Sequence, residues 1–147
     1  RLKVEEVCGE VVKRLAVQAE EMGVSVTIDG SAECSADEND MFTMLSNVVS
    51  NAIKYNKRGG SVKIALTPEG SGARIEVSDT GIGIAPEHIG RIFERFFKVD
   101  TARTRSKALS TGLGLSIVKQ LADHYGAKID VKSEVDKGTC VTLIFGR

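Results

Sequence analysis

Tryptophan is absent from this 147-residue sequence, and proline and tyrosine occur only twice each. Cysteine appears three times, at Cys8, Cys34 and Cys140, an odd number without metal-ligand spacing. That argues against a zinc module or a disulfide framework and predicts thiols in a reducing, cytosolic setting. Net charge is missing too, since 20 basic side chains cancel 20 acidic ones. A balanced chain is a poor match for a nucleic-acid backbone or an anionic membrane surface. No run approaches the roughly 18 apolar residues of a membrane-spanning helix. The start, at Arg1, carries no basic-then-apolar leader pattern and reads as a cut from a longer chain. What remains is a hydrophobic fraction of 41% on a length suited to one domain, residues 1–147, with a core of its own.

The apolar residues alternate between two periods. Val4, Val7, Val11, Leu15, Ala19 and Met22 recur at helical spacing and predict one helix ending at Gly23. Val24, Val26 and Ile28 predict a short strand, and the cap-rich "ADEND" at 36–40 starts a second helix running from near Asp40 to Tyr55. Val62, Ile64 and Leu66 form a strand, Pro68 to Gly72 a turn, and Ala73, Ile75 and Val77 the returning strand of a hairpin. A third helix is expected from about Gly112 to Tyr125. Ile129 and Val131, then Val141, Leu143 and Phe145, close the chain as a second hairpin. No βαβ repeat emerges. The expected fold is a two-layer α/β sandwich, a mixed sheet covered on one face by about three helices. Residues 99–110 have little apolar content but carry Arg103, Arg105 and Lys107, the composition of a long functional loop.

Four short blocks carry chemistry. On the second helix Asn47, Asn51 and Lys54 fall at i, i+4 and i+7, one polar stripe over about 10 Å inside an otherwise apolar surface. Such amides either face water or contact something polar, and a neutral amide oxygen suits a hydrated Mg²⁺ whose charge phosphates already balance. In "ARIEVSDTGIGI", 73–84, the strand alternation places the carboxylate of Asp79 on the apolar face, directly before Thr80, Gly81, Ile82, Gly83 and Ile84. An inward carboxylate demands donors. "RIFERFFKVD", 91–100, gathers three of the five phenylalanines, Phe93, Phe96 and Phe97, ahead of Lys98. In "STGLGLSIVK", 110–119, Thr111, Gly112, Leu113 and Gly114 open a helix, whose first N–H groups and dipole favour an anion. Each block alone has an ordinary structural explanation.

Taken together and in this order, the blocks resemble the N, G1, F and G2 boxes of the catalytic ATP-binding domain of a sensor histidine kinase. The resemblance covers essentially the whole chain. It implies the Bergerat fold of the GHKL superfamily, with ATP or ADP held between the helical layer and a mobile lid at 99–110. By the same resemblance Asp79 accepts a hydrogen bond from the adenine amine, while Gly81, Gly83 and Ile84 admit the purine. Asn51 ligates Mg²⁺, Asn47 supports it directly or through water, and Lys54 and Tyr55 reach phosphates or ribose. Lys98 is the implied catalytic positive charge, aimed at the terminal phosphates, and Thr111, Gly112, Leu113, Gly114 and Leu115 form the phosphate-facing hinge. Ser110 departs from the pattern, in which a glycine usually precedes Thr-Gly-Leu-Gly.

The family's acceptor histidine stands before an acidic residue. His88, in "APEHIG", and His124, in "ADHYGA", lack that context. The chain therefore looks like the ATP-binding half of a protein-histidine kinase, not active alone. Its implied partners are its own upstream dimerisation and phosphoacceptor domain and a response regulator, with no nucleic acid. The isolated domain is expected to be monomeric, the full-length protein a homodimer anchored in the cell membrane with this domain in the cytoplasm. A GHKL-type ATPase would carry a water-activating glutamate where Asn47 stands. A non-catalytic sensing module would have lost Asp79 or Asn51, and an anti-sigma serine kinase the "FERFFK" block; Ser110 keeps the non-catalytic reading in play.

Overall fold

The computed structural model describes residues 2–81, 114–135 and 137–145. A five-stranded sheet has the order β2-β4-β5-β7-β6. Its strands are β2 (Ser25–Gly30), β4 (Ser61–Glu69), β5 (Gly72–Asp79), β6 (Lys128–Glu134) and β7 (Gly138–Phe145). A separate two-stranded ribbon pairs β1 (Leu2–Lys3) with β3 (Glu33–Cys34). Four helices lie among the described residues: α1 (Val4–Arg14), α2 (Ala16–Met22), α3 (Glu38–Lys54) and α4 (Gly114–Tyr125). The expected two-layer sandwich is what forms, and both expected hairpins are present as antiparallel β4–β5 and β6–β7.

Strand alternation assigns the faces. Val62, Ile64 and Leu66 of β4, Ala73, Ile75 and Val77 of β5, and Leu143 and Phe145 of β7 are buried beneath the helices. Met41, Met44, Leu45, Val48, Val49, Ala52 and Ile53 descend onto them from α3. The opposite sheet face carries Lys63, Arg74, Glu76 and Lys132, with Arg74 paired to Glu69 and Glu76. Pro68 lies in β4 itself, beyond Leu66, where β2 no longer pairs and a missing N–H is tolerated.

The turn expected over Pro68 to Gly72 narrows to residues 70–71, and three further expectations need correction. The single helix over Val4 to Met22 is two helices, broken at Leu15, so that α2 turns to meet α3, where Gln18 bonds Ser50. Gly23 ends the pair in the left-handed conformation, φ 69°. The second helix begins at Glu38, because the Asp37 carboxylate accepts from the N–H groups of Asn39 and Asp40. Finally, β2 and β4 are parallel, with α3 as their crossover. This βαβ unit left no trace in the pattern because β2 is a mostly exposed edge strand, not the continuous apolar run of a buried parallel strand.

Cys8, Cys34 and Cys140 form no disulfide, and burial pushes the Cys8 thiol up to about 12, so it stays protonated. Among the described residues no helix is long and apolar enough to cross a membrane.

Candidate functional site

α4 packs on α3 and is fastened there at one end. The Tyr125 hydroxyl, at the end of α4, donates a short hydrogen bond to the Asp40 carboxylate and accepts from the Asp37 N–H at 3.1 Å. The last turn of α4 is thereby fastened to the first turn of α3, and the two helices pack on each other. Asn51 and Lys54 lie in the last turns of α3, at the far end from this contact.

β5, at the centre of the sheet, delivers Asp79 to the same end. Asp79 lies opposite Val62 in register, on the buried face. Its Oδ1 accepts from the N–H of Gly81 at 2.8 Å and from the N–H of Thr139 at 3.2 Å. Among the described residues Oδ2 accepts nothing. Burial pushes the Asp79 carboxyl above its ordinary range, and the two backbone N–H groups hold it partly down. Such close seating needs Gly138, at φ 130°, because a Cβ there would collide with the Asp79 carbonyl. Gly81 packs under the Tyr55 carbonyl and the Asn56 Cα, so strand end and helix end touch without a side chain between them.

The α3 amides of Asn47 and Asn51 are half-buried. The Asn47 Nδ2 donates to the Thr43 carbonyl at 2.8 Å, which commits its N–H side to the helix and leaves Oδ1 as the outward atom. The Asn51 side chain makes no hydrogen bond among the described residues. The Lys54 ammonium lies 5.3 Å from the Tyr55 ring centroid, drawn over the helix end. No group of three His, Cys, Asp or Glu side chains is arranged to hold a metal among the described residues. Two neutral amide oxygens fit Mg²⁺ only when a ligand brings the negative charge, as phosphates do.

Asp79 and Gly81 are thus brought to the end of α3 that carries Asn47, Asn51, Lys54 and Tyr55, and Gly114 is the first residue of α4. Leu115 is partly buried and packs against the hydrophobic core, so its side chain helps anchor the helix. His124 sits at the helix end, its ring edge-on to Tyr125 at 4.9 Å. Gly83, Ile84, His88, Lys98, the 99–110 segment, Ser110, Thr111, Gly112 and Leu113 lie outside the described residues. Three participants escaped the sequence reading: Thr139, whose N–H holds Asp79, and Asn56 and Thr80, which bond to each other across the site's floor. None carried a signal, since Asn after a helix and Thr after a strand are ordinary turn residues.

The family described as histidine kinase-, DNA gyrase B-, and HSP90-like ATPase matches residues 36–146. The sensor protein SrrB of Staphylococcus aureus (strain NCTC 8325 / PS 47) is 43% identical over 124 residues, 83% of this chain and 21% of SrrB. The chain thus spans about a fifth of the length of such relatives. Among solved structures, the mycobacterial sensor histidine kinase MprB superposes with a TM-score of 0.83 at 27% identity, covering 98% of this chain and 95% of that one. ShkA, solved at full length in complex with AMPPNP, gives a TM-score of 0.80 at 29% identity over 97% of this chain and 29% of that one.

Proposed function

The chain belongs to the histidine kinase-, DNA gyrase B- and HSP90-like ATPase family as an ATP-binding domain of the histidine-kinase type, and from that premise we propose that it binds Mg-ATP and gives the γ-phosphoryl group to a histidine on a separate phosphoacceptor domain in two-component signalling. The observation that carries the reading is Asp79: a half-buried carboxylate with one oxygen held by two backbone N–H groups and the other, among the described residues, left for a donor. An adenine amine is such a donor, and guanine offers a carbonyl in its place. The AMPPNP in the ShkA complex supports nucleotide binding by a domain of this kind.

In this reading Asp79 orients the purine, and Gly81, Gly83 and Ile84 leave it room. Asn51, with Asn47 directly or through water, would hold Mg²⁺, and Lys54 and Tyr55 would meet phosphate or ribose. Residues 111–115 supply N–H groups at the α4 start, and Lys98 places its charge by the terminal phosphate. Magnesium, when bound, neutralises developing charge on the phosphate oxygens. The γ-phosphorus bond to the bridging oxygen breaks, a bond to an imidazole nitrogen forms, and ADP leaves with the electron pair. Nothing at position 47 can activate water, since an amide is no general base. A membrane-anchored homodimer with its own phosphoacceptor domain and a response regulator as partner is the setting this implies, with residues 1–147 as its catalytic domain and 99–110 as the lid.

Radiolabelled ATP tests it. The chain alone should bind ATP with negligible turnover, and addition of the histidine-bearing domain of its own full-length protein should yield an acid-labile, base-stable phosphoprotein. Steady phosphate release by the chain alone would move the assignment to the ATPases. No transfer with the acceptor present would move it to a nucleotide-sensing module.

A further inference from the structure

Directly after α3 the chain buries a polar side chain that nucleotide binding does not itself require. Asn56 is only 6% exposed, and both ends of its amide are engaged toward one corner. Its Nδ2 donates to the Ser61 carbonyl at 3.0 Å. Its Oδ1 accepts from the Lys57 N–H at 2.8 Å and from the Thr80 hydroxyl at 3.2 Å. The Thr80 Oγ1 in turn accepts from the Ser61 N–H at 3.0 Å, and the Thr80 N–H donates to the Ser61 carbonyl at 3.2 Å. Asn56, Thr80 and Ser61 therefore close a ring of hydrogen bonds around Gly60, where a Cβ would collide with the Asn56 Oδ1 and stand 2.7 Å from the Thr80 Oγ1.

The ring joins three pieces of backbone that carry different parts of the site. Asn56 continues from Lys54 and Tyr55 at the end of α3. Thr80 lies between Asp79 and Gly81, whose N–H grips the Asp79 carboxylate. Ser61 begins β4. Apolar packing of Val49, Ala52 and Ile53 sets the depth of α3 on the sheet, but dispersion is non-directional and leaves small slides along the helix cheap. Directional hydrogen bonds, anchored on the buried Asn56, resist such slides.

We infer that Asn56 is a positioning residue that, through Thr80 and Ser61, fixes the spacing between the base-facing carboxylate of Asp79 and the phosphate- and metal-facing stripe of Asn47, Asn51 and Lys54. It touches no ligand itself. The inference rests on the nucleotide reading above and adds a specific consequence: a ligand that occupies both halves depends on the ring, whereas one confined to the base half does not. Adenosine and Mg-ATP are therefore the two probes.

Calorimetric titration of wild type, Asn56→Ala, Thr80→Val and Gly60→Ala with both probes tests this. Thr80→Val preserves shape while removing the hydroxyl. Gly60→Ala displaces the ring from outside, at a backbone position not in the left-handed region. Each variant should lose about tenfold in Mg-ATP affinity while adenosine affinity stays within about twofold. Thr80→Ser, which keeps the hydroxyl, should bind Mg-ATP like wild type. Equal losses for the two probes, or Mg-ATP affinity unchanged in Thr80→Val and Gly60→Ala, would overturn the inference. Should Asn56→Ala fail to fold, the same two outcomes are read from Thr80→Val and Gly60→Ala. Wild type binding neither probe would instead bring down the nucleotide reading on which it stands.

Discussion

The two ends of α3 are built from similar residues to opposite purposes. At its start, Asp37, Asp40 and Tyr125 satisfy one another: a capping carboxylate, a carboxylate that accepts from the phenol, and a phenol that accepts a backbone N–H. At its close, among the described residues, Asn47 spends only its amide N–H, Asn51 spends nothing, and Asp79 keeps one oxygen without a donor. Asn51 and Asp79 are only half-buried, so water can meet these acceptors where no ligand does. The first end is finished by folding, and under the proposed function the second is finished by the nucleotide.

Asp79→Asn should break the comparison most severely. It sets an amide against the adenine amine and should weaken ATP binding by about 3 kcal/mol, measured by calorimetry, with wild type preferring ATP to GTP strongly. Fold stability should move the other way. Burial holds the Asp79 proton more tightly in the folded than in the unfolded chain, so that contribution is full below the ordinary value of 3.8 and is lost as pH rises through the folded value. Asparagine keeps an acceptor for Gly81 and Thr139 without a charge to desolvate. The variant should melt above wild type at pH 7, with the gap closing below about pH 4. A variant that binds ATP normally would mean that the second oxygen has another purpose.

Asn51→Ala is the next in size. It should abolish most of the Mg²⁺-dependent gain in ATP affinity, about tenfold, and leave affinity in EDTA nearly intact. Retention of the whole gain would make Asn51 a structural amide.

Tyr125→Phe acts on the finished end and should leave both ligand affinities near wild type while lowering the melting temperature. The bond to Asp40 pushes the Tyr125 phenol above its ordinary 10.0, so its contribution is present below that value and fades as pH rises through the folded value. Melting curves of the two proteins should converge in alkali. A large loss of ATP affinity in Tyr125→Phe would show that the ends are not separate.

Elements with a strict period were legible in the chain: β5 with its inward Asp79, the α3 stripe of Asn47, Asn51 and Lys54, and the stop at Gly23. The break at Leu15 was not, because a helical period persists through a bend that only packing against α3 reveals. The parallel β2–β4 pairing was hidden by the exposure of an edge strand, which strips it of the apolar pattern that marks parallel sheets.

By itself the sequence determined which residues could carry the chemistry, since side-chain identity and spacing along a helix or strand are local properties of the chain. Tertiary structure alone decided that they meet. Tyr125 and Asp40 are 85 residues apart, Asp79 and Thr139 60, and Asn56 and Thr80 24. No periodicity spans such separations. Those contacts exist because folding brings the end of α4, the start of β7 and the turn after α3 to fixed places around one core, where donors and acceptors from distant segments must find each other or remain unmet.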